Sequence, residues 1–301
     1  MERRDFLTVA GVTAAASMVG THVAARQPAE DKTFRLNYAP HFGMFSAHAP
    51  DELDQLTFAA DQGFRGWEDN GMKGRSTEFQ EKFAQRMSKL NMRMGIFVAQ
   101  GIDWDNPTLT TGKKEISDRF VAETEESTEV ARRVNATWVT TVVGRVDPGL
   151  PWGHQFVNVV ETLRRAAEKC EKSGMVMVLE PLNWRDHPGQ FLAKSDTIRA
   201  VVRAVNSPHC KILQDLYHLQ VTEGNLIDNM NRSWDDIAYF QLGDNPGRRE
   251  PGTGEVNYRN VFKNIQDRKF SGILGMEHGK SKGGKDGEMA LIEAYRAADG
   301  G

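Results

Sequence analysis

Four oxygen-bearing side chains, Glu180, Asp215, Gln241 and Glu277, each close a short apolar run, at successive intervals of 35, 26 and 36 residues. The clearest is "MVMVLEPLNWRD" (175–186), where five apolar residues end on Glu180 and give way to Pro181, Asn183, Arg185 and Asp186. A carboxylate at the tip of a buried strand is costly to desolvate unless a cation or hydrogen bonds compensate it. Three carboxylates converging on one mouth repel and raise one another's pKa. A divalent cation resolves that conflict, and hard oxygen ligands favour Mg²⁺ or Mn²⁺ over zinc. The other resolution open to these residues is a hydrogen-bonded acidic cluster neutralised by Arg185, Arg248 or Arg249.

The elements that must position these groups are legible from periodicity. Strand candidates fall at 34–40, 64–70, 92–99, 137–144, 176–182, 211–218, 237–244 and 272–278. Amphipathic stretches separate them. In one, Phe79, Phe83, Met87 and Leu90 recur at helical spacing after a capping Ser76 or Thr77. Another (159–174) ends on Gly174, which suits a helix C-cap. Eight strand–helix alternations in the α/β class predict a single (β/α)8 TIM barrel, one domain over 33–301. A doubly wound sheet is the other arrangement, but no GxGxxG follows the first strand to support a dinucleotide site. In a barrel, chemistry sits at the C-terminal strand ends and strand residues alternate inward and outward. Counting back by twos from the four tips predicts interior positions at Val178, Val176, Leu213, Lys211, Tyr239, Ile237, Gly275 and Ile273.

Composition restricts the partners. With 39% hydrophobic and 26% charged residues and a net charge of −3, the 301-residue chain gives no electrostatic reason to expect nucleic acid or an anionic membrane. Residues 1–25 read as a removable targeting segment: Arg3-Arg4 precede a mildly apolar stretch from Leu7 to Gly20, and Val23-Ala24-Ala25 offer a cleavage site. They resemble a twin-arginine export signal, followed by a short linker at 26–32, and imply the export machinery as a partner and a periplasmic location. A frayed or membrane-anchoring helix is the competing reading. Cys170 and Cys210 are expected as buried free thiols rather than a pair, and homo-oligomerisation is open.

The segments "VLEPLN", "QDLYHLQ", "FQLGDNPGRREPGTGEVNY" and "GMEH" together resemble the hydroxypyruvate isomerase group of the xylose-isomerase-like barrels. The resemblance covers 33–298 and is densest over 176–278, with "DNPGRREPGTGEVNY" its most specific part. It implies one divalent ion held by Glu180, Asp215, Gln241 and Glu277, with Glu180 and Glu277 doubling as the acid–base pair. His218 takes the place of a residue that contacts substrate oxygen. Related ketose 3-epimerases usually carry His where this chain has Gln241, which favours the isomerase branch.

From the groups themselves, Arg248 in its Gly/Pro-rich loop is suited either to grip a substrate carboxylate bidentately or to pair with Glu250 or Glu255. Glu68 and His41, after the second and first strands, are further candidates for the pocket wall. Trp104 and Trp184 suit stacking on a sugar or covering the rim, and His278 is expected to point away from the axis. The expected reaction interconverts ketone and aldehyde forms of a small hydroxy-keto acid or sugar through an enediolate. A ketose epimerase or lyase on the same site and a non-catalytic sugar-binding protein are the alternatives. A phosphodiester-cleaving relative would need several zinc-binding histidines, and only His41, His187, His218 and His278 fall near strand tips.

Overall fold

Eight parallel strands line the described part of the chain, residues 33–300 of the computed structural model. The twin-arginine segment and linker at 1–32 lie outside the described residues. The strands are β1 (Asn37–Ala39), β2 (Gly66–Trp67), β3 (Arg93–Met94), β4 (Trp138–Thr141), β5 (Val176–Leu179), β6 (Cys210–Asp215), β7 (Ile237–Gln241) and β8 (Ile273–Gly275). Six of them run side by side in the order β1-β8-β7-β6-β5-β4, and β2 pairs with β3. The ring closes through single bridges, His41 to Glu68 between β1 and β2, and Met94 to Ala136 and Val98 to Thr140 between β3 and β4. With helices between successive strands, this is the expected (β/α)8 barrel.

Each strand is shorter than the sequence predicts. The revision that bears on the site is at β6, predicted to run to His218. The chain instead turns into a helix (Leu216–Thr222) because Asp215 accepts the amides of Tyr217 and His218 at 2.7 and 3.1 Å. The strand's last carboxylate is therefore also a helix N-cap.

Two cores result. The barrel interior holds Ala39, Ile96, Trp138, Val178, Leu213, Tyr239 and Ile273, with Val176 packed against them. Four of the positions expected from alternation (Val178, Leu213, Tyr239, Ile273) sit there. Ile237 does not: it packs between sheet and helices, while Ala238 touches the interior cluster. A register shift between Ile212 and Leu213 is the reason, since one extra residue exchanges the two faces. Lys211 sends its ammonium to the Asp235 carbonyl at 3.1 Å, away from the mouth. Gly275 faces inward for a steric reason, because a Cβ there would lie 2.0 Å from Glu68 Oε2.

The outer layer follows its predicted pattern. Ser76 Oγ accepts from Phe79 N at 3.2 Å and caps the helix Thr77–Lys89, which buries Phe83 and Met87. The helix Trp152–Ser173 ends on Gly174 at φ +75°. Cys170 and Cys210 are buried and unbonded, and burial pushes both thiols up to about 12. Among the described residues no helix is long and apolar enough to cross a membrane.

The last helix (Gly284–Asp299) fastens the loops that follow β1 and β8. Its buried Glu288 accepts from Ala47 N, His48 N, His48 Nδ1 and Lys280 Nζ at 2.8, 3.0, 2.7 and 3.0 Å. Burial raises its pKa, but these donors outweigh burial and hold it below the ordinary glutamate value. A carboxylate depressed in the folded state contributes stability above its unfolded pKa and loses it as pH falls. Glu288→Gln should cost about 3 kcal/mol at pH 7. That deficit should shrink below about pH 4, as the wild-type carboxyl protonates; urea denaturation of both proteins across this range checks it.

Candidate active site

The four tips do converge. Glu180, just past β5, Asp215 and Gln241, ending β6 and β7, and Glu277, just past β8, gather at the C-terminal mouth. Glu180, Gln241 and Glu277 line one cavity of about 180 Å³ with Asn70, Thr140 and His218. Asp215 is fully buried beneath it.

Asp215 divides its work between its two oxygens. Oδ1 caps the following helix, and Oδ2 faces the site, 3.0 Å from Arg248 Nη2 and 3.7 Å from His218 Nε2. Glu180 is compensated least. Among the described residues the nearest donor to it is His218 Nε2 at 3.5 Å, and burial, then Glu277 and Asp215, raise its pKa well above the ordinary value. Glu277 is raised by burial too, with the Arg248 charge opposing the shift. The Gln241 amide is buried beside Glu68, yet neither its oxygen nor its nitrogen has a partner at hydrogen-bonding geometry.

An under-compensated glutamate, an orphaned amide oxygen and an aspartate oxygen at one mouth form an all-oxygen donor set, which suits a hard divalent cation. Glu180, Asp215 and His218 also bring ligand atoms within 4.8 Å of one another. The hydrogen bonds on His218 give it a different task. Asn183 Oδ1 accepts the amides of Arg185 and Asp186, so Nδ2 is the atom turned to His218 Nδ1, at 2.7 Å. The Asn183 backbone N–H donates to the same nitrogen at 3.2 Å. Nδ1 therefore accepts, and the proton sits on Nε2, aimed at Glu180 and Asp215. Burial lowers the His218 pKa to about 4, keeping the ring neutral. It is a donor towards oxygen.

Arg248 neither stands free for a substrate carboxylate nor pairs with Glu250 or Glu255; of the three arginines the sequence offered to the acidic cluster, it is the one that meets it. Its guanidinium bonds Asp215 Oδ2 at 3.0 Å and Glu277 Oε2 at 2.6 Å, over the Tyr217 ring. Glu250 instead accepts from Ser281, and Glu255 from Gln220 and Asn245. Arg185 pairs with Asp186 and the Tyr217 hydroxyl rather than the cluster. Arg249 offers its carbonyl to Asp244 N at 2.7 Å. Arg248 thus supplies one positive charge to three carboxylates, which leaves negative charge over.

The loop carrying Arg248 is organised by Asp244, which sequence reasoning missed as a site residue. Fully buried, it accepts from Asn245 N and Val256 N on one oxygen and from Gly252 N and Gly254 N on the other, at 2.8 to 3.1 Å. That clamp holds Arg248 at φ +49°, a left-handed conformation costly for a side chain with a Cβ. The signal was present in the quoted motif, where an acid precedes a Gly/Pro-rich loop. Asn70 was also missed; its Nδ2 donates to Glu277 Oε1 at 2.9 Å.

Glu68 and His41 line a second cavity of about 530 Å³, which shares Asn70 and Glu277 with the first. Glu68 accepts from the Tyr239 hydroxyl at 2.9 Å, and burial followed by Glu277 raises its pKa well above normal. Trp104 packs on His187 at 4.9 Å over the smaller cavity, while Trp184 is exposed. His278 bonds the Tyr295 hydroxyl at 2.7 Å, away from the axis.

A family model described as the xylose isomerase-like TIM barrel matches residues 56–297. The chain belongs to the xylose isomerase-like TIM barrel family. Within this family it is 32% identical over 166 residues to hydroxypyruvate isomerase of Escherichia coli K12, covering 55% of this chain and 64% of that protein. It is 32% identical over 136 residues to 2-oxo-tetronate isomerase of Cupriavidus necator, covering 45% and 52%. The chain thus spans less than two thirds of either relative's length. Among solved structures, a family 2 AP endonuclease from Brucella melitensis superposes with TM-score 0.73 at 22% identity, over 84% of this chain and 96% of that one. A 3-keto-D-glucoside 4-epimerase from E. coli gives TM-score 0.70 at 17%, over 87% and 98%. These two likenesses establish the fold alone.

Two positioning residues can be tested directly. Asp244→Ala orphans four amides and should destabilise by roughly 2–4 kcal/mol. Because the loss is local, limited proteolysis should cut within 245–255 well before the barrel unfolds. Asn183→Asp puts a carboxylate where Nδ1 needs a donor, so His218 should exchange tautomer. The ¹⁵N shifts of its ring nitrogens should swap, and an unchanged spectrum would refute the assignment.

Proposed function

We propose that this protein is a metal-dependent isomerase that interconverts the ketone and aldehyde forms of a small hydroxy-keto acid or sugar through an enediolate, like hydroxypyruvate isomerase. The observation that carries this reading is that Glu180 and Glu277 face one cavity from β5 and β8, both with raised pKa values. Carboxyls lifted towards neutrality can take a proton from carbon and return one, an effect worth about 10²–10⁴-fold for each positioned group. One takes the proton from the carbon beside the carbonyl, and the other, or the same group, returns it to the neighbouring carbon. His218 Nε2–H points at Glu180 and Asp215, where it can donate to a substrate oxygen as charge develops. Arg248 holds Glu277 in place from one side and Asn70 from the other.

Glu180, Asp215, Gln241 and Glu277 would hold one divalent ion, Mn²⁺ or Mg²⁺. When bound, such an ion polarises the substrate carbonyl and acidifies the adjacent C–H. The isomerase names of the two relatives support the reaction class. The Arg3-Arg4 segment supports export to the periplasm, where an oxidised sugar is a more available substrate than a cytoplasmic keto acid.

The deciding experiment follows solvent deuterium into a panel of 2-keto acids and ketoses with added Mn²⁺ or Mg²⁺. An isomerase carries label to the neighbouring carbon, whereas an epimerase returns it to the original one. Glu277→Gln should keep the fold and lose about 10²-fold or more of the exchange. Chelation should abolish wild-type exchange and added Mn²⁺ restore it. Retention of over a tenth of the wild-type rate in Glu277→Gln would remove that glutamate from the mechanism.

A further inference from the structure

Beside the smaller cavity lies one nearly three times its size, about 530 against 180 Å³, and the two meet at the Asn70–Glu277 hydrogen bond. Clefts that enclose drug-sized ligands run to roughly 300–1,000 Å³. A three-carbon keto acid held between Glu180 and Glu277 would leave the larger space to solvent.

The chemistry of its wall is specific. Arg75 is the guanidinium there, and both its faces are taken. Nη1 and Nη2 bond the two oxygens of Glu52 at 2.6 and 3.1 Å, and Nε bonds Asp69 Oδ2 at 2.8 Å. No fork remains for a ligand carboxylate or phosphate, and the three groups together leave one negative charge. The ring nitrogens of His41 face the carbonyls of Phe42 and His278, at 2.8 and 3.4 Å. Glu68 and Glu277 add two more acidic groups to the wall, and the uncommitted hydrogen-bonding groups beside them are neutral amides. Gln55 uses its oxygen on Gly43 N at 2.9 Å, and Asn70 uses its amide nitrogen on Glu277. Among the described residues the Gln55 amide nitrogen and the Asn70 amide oxygen are uncommitted, one donor and one acceptor of the kind that hydroxyl groups match.

We infer that the larger cavity is a subsite for an uncharged, polyhydroxylated extension of the substrate, such as a second sugar residue, and that it rejects an extension bearing a carboxylate. The inference rests on the proposed isomerase reading for which end of the substrate reacts, and it narrows the substrate to neutral sugars longer than three carbons.

The test compares three ketoses on the Mn²⁺-loaded protein: D-fructose, isomaltulose, which adds a glucosyl group at the far end, and D-fructuronate, which ends in a carboxylate there. Binding by isothermal titration and solvent-deuterium exchange are measured separately. Isomaltulose should bind at least as tightly as fructose and fructuronate at least ten-fold more weakly. Glu52→Gln, which removes a half-exposed charge from the wall, should lower the fructuronate penalty, read as the ratio of fructuronate to fructose affinity within the one variant. Isomaltulose binding ten-fold more weakly than fructose, fructuronate binding as well as fructose, or no binding by any of the three would overturn the subsite. The expected binding order without exchange on any of the three would instead overturn the isomerase reading and leave the subsite standing.

Discussion

Burying several carboxylates at one end of a closed barrel is the constraint on which the rest of this structure depends. Burial raises the pKa values of Glu68, Glu180 and Glu277, and the charge of Asp215 among them adds to each of these shifts. Left alone such a cluster would protonate or open. The fold answers with a different compensation for each member. Asp215 spends one oxygen on two helix amides, Glu68 accepts from a tyrosine in a space kept clear by Gly275, and Glu277 is held by Arg248 and Asn70. Glu180 has no comparable donor among the described residues, so the residual charge collects on that side of the mouth.

Apart from Tyr239 and Gly275, which lie in β7 and β8, those compensations come from outside the strands, which is why the loops are built as firmly as the sheet. Asp244 ties four amides so that Arg248 can reach inward at an unfavourable φ. Asn183 spends its side-chain oxygen on two backbone amides so that its nitrogen can fix the His218 tautomer. Both follow one principle: a group facing substrate is only as well placed as the hydrogen bonds behind it.

The barrel and its four tips were legible because period-two alternation ending on an oxygen side chain is a one-dimensional signal. It failed where that period broke. The register shift beside Leu213 moved Ile237 out of the interior, and the helix cap by Asp215 ended β6 three residues early. The sequence left Arg248 open between the acidic cluster and its chain neighbours Glu250 and Glu255, because Asp215 and Glu277 are near it only once the ring closes. Asn70 lacked any local signal of function: an amide in a loop has many uses, and only its contact with Glu277, 207 residues away in sequence, selects one.

The two cavities give the Asn70–Glu277 bond a significance beyond holding a glutamate. It lies where a compartment lined by Glu180, Gln241 and His218 gives way to one lined by Glu52, Gln55 and Arg75. On the first side, charge is incompletely balanced and a neutral histidine donates, which are the conditions for moving a proton. On the second, the Arg75 guanidinium is taken up by Glu52 and Asp69 and the uncommitted amides of Gln55 and Asn70 are left, which are the conditions for recognising hydroxyls without reacting. A substrate crossing that seam would meet proton transfer at one end and passive recognition at the other. Binding energy from the unreactive end can then be used to orient the reactive one.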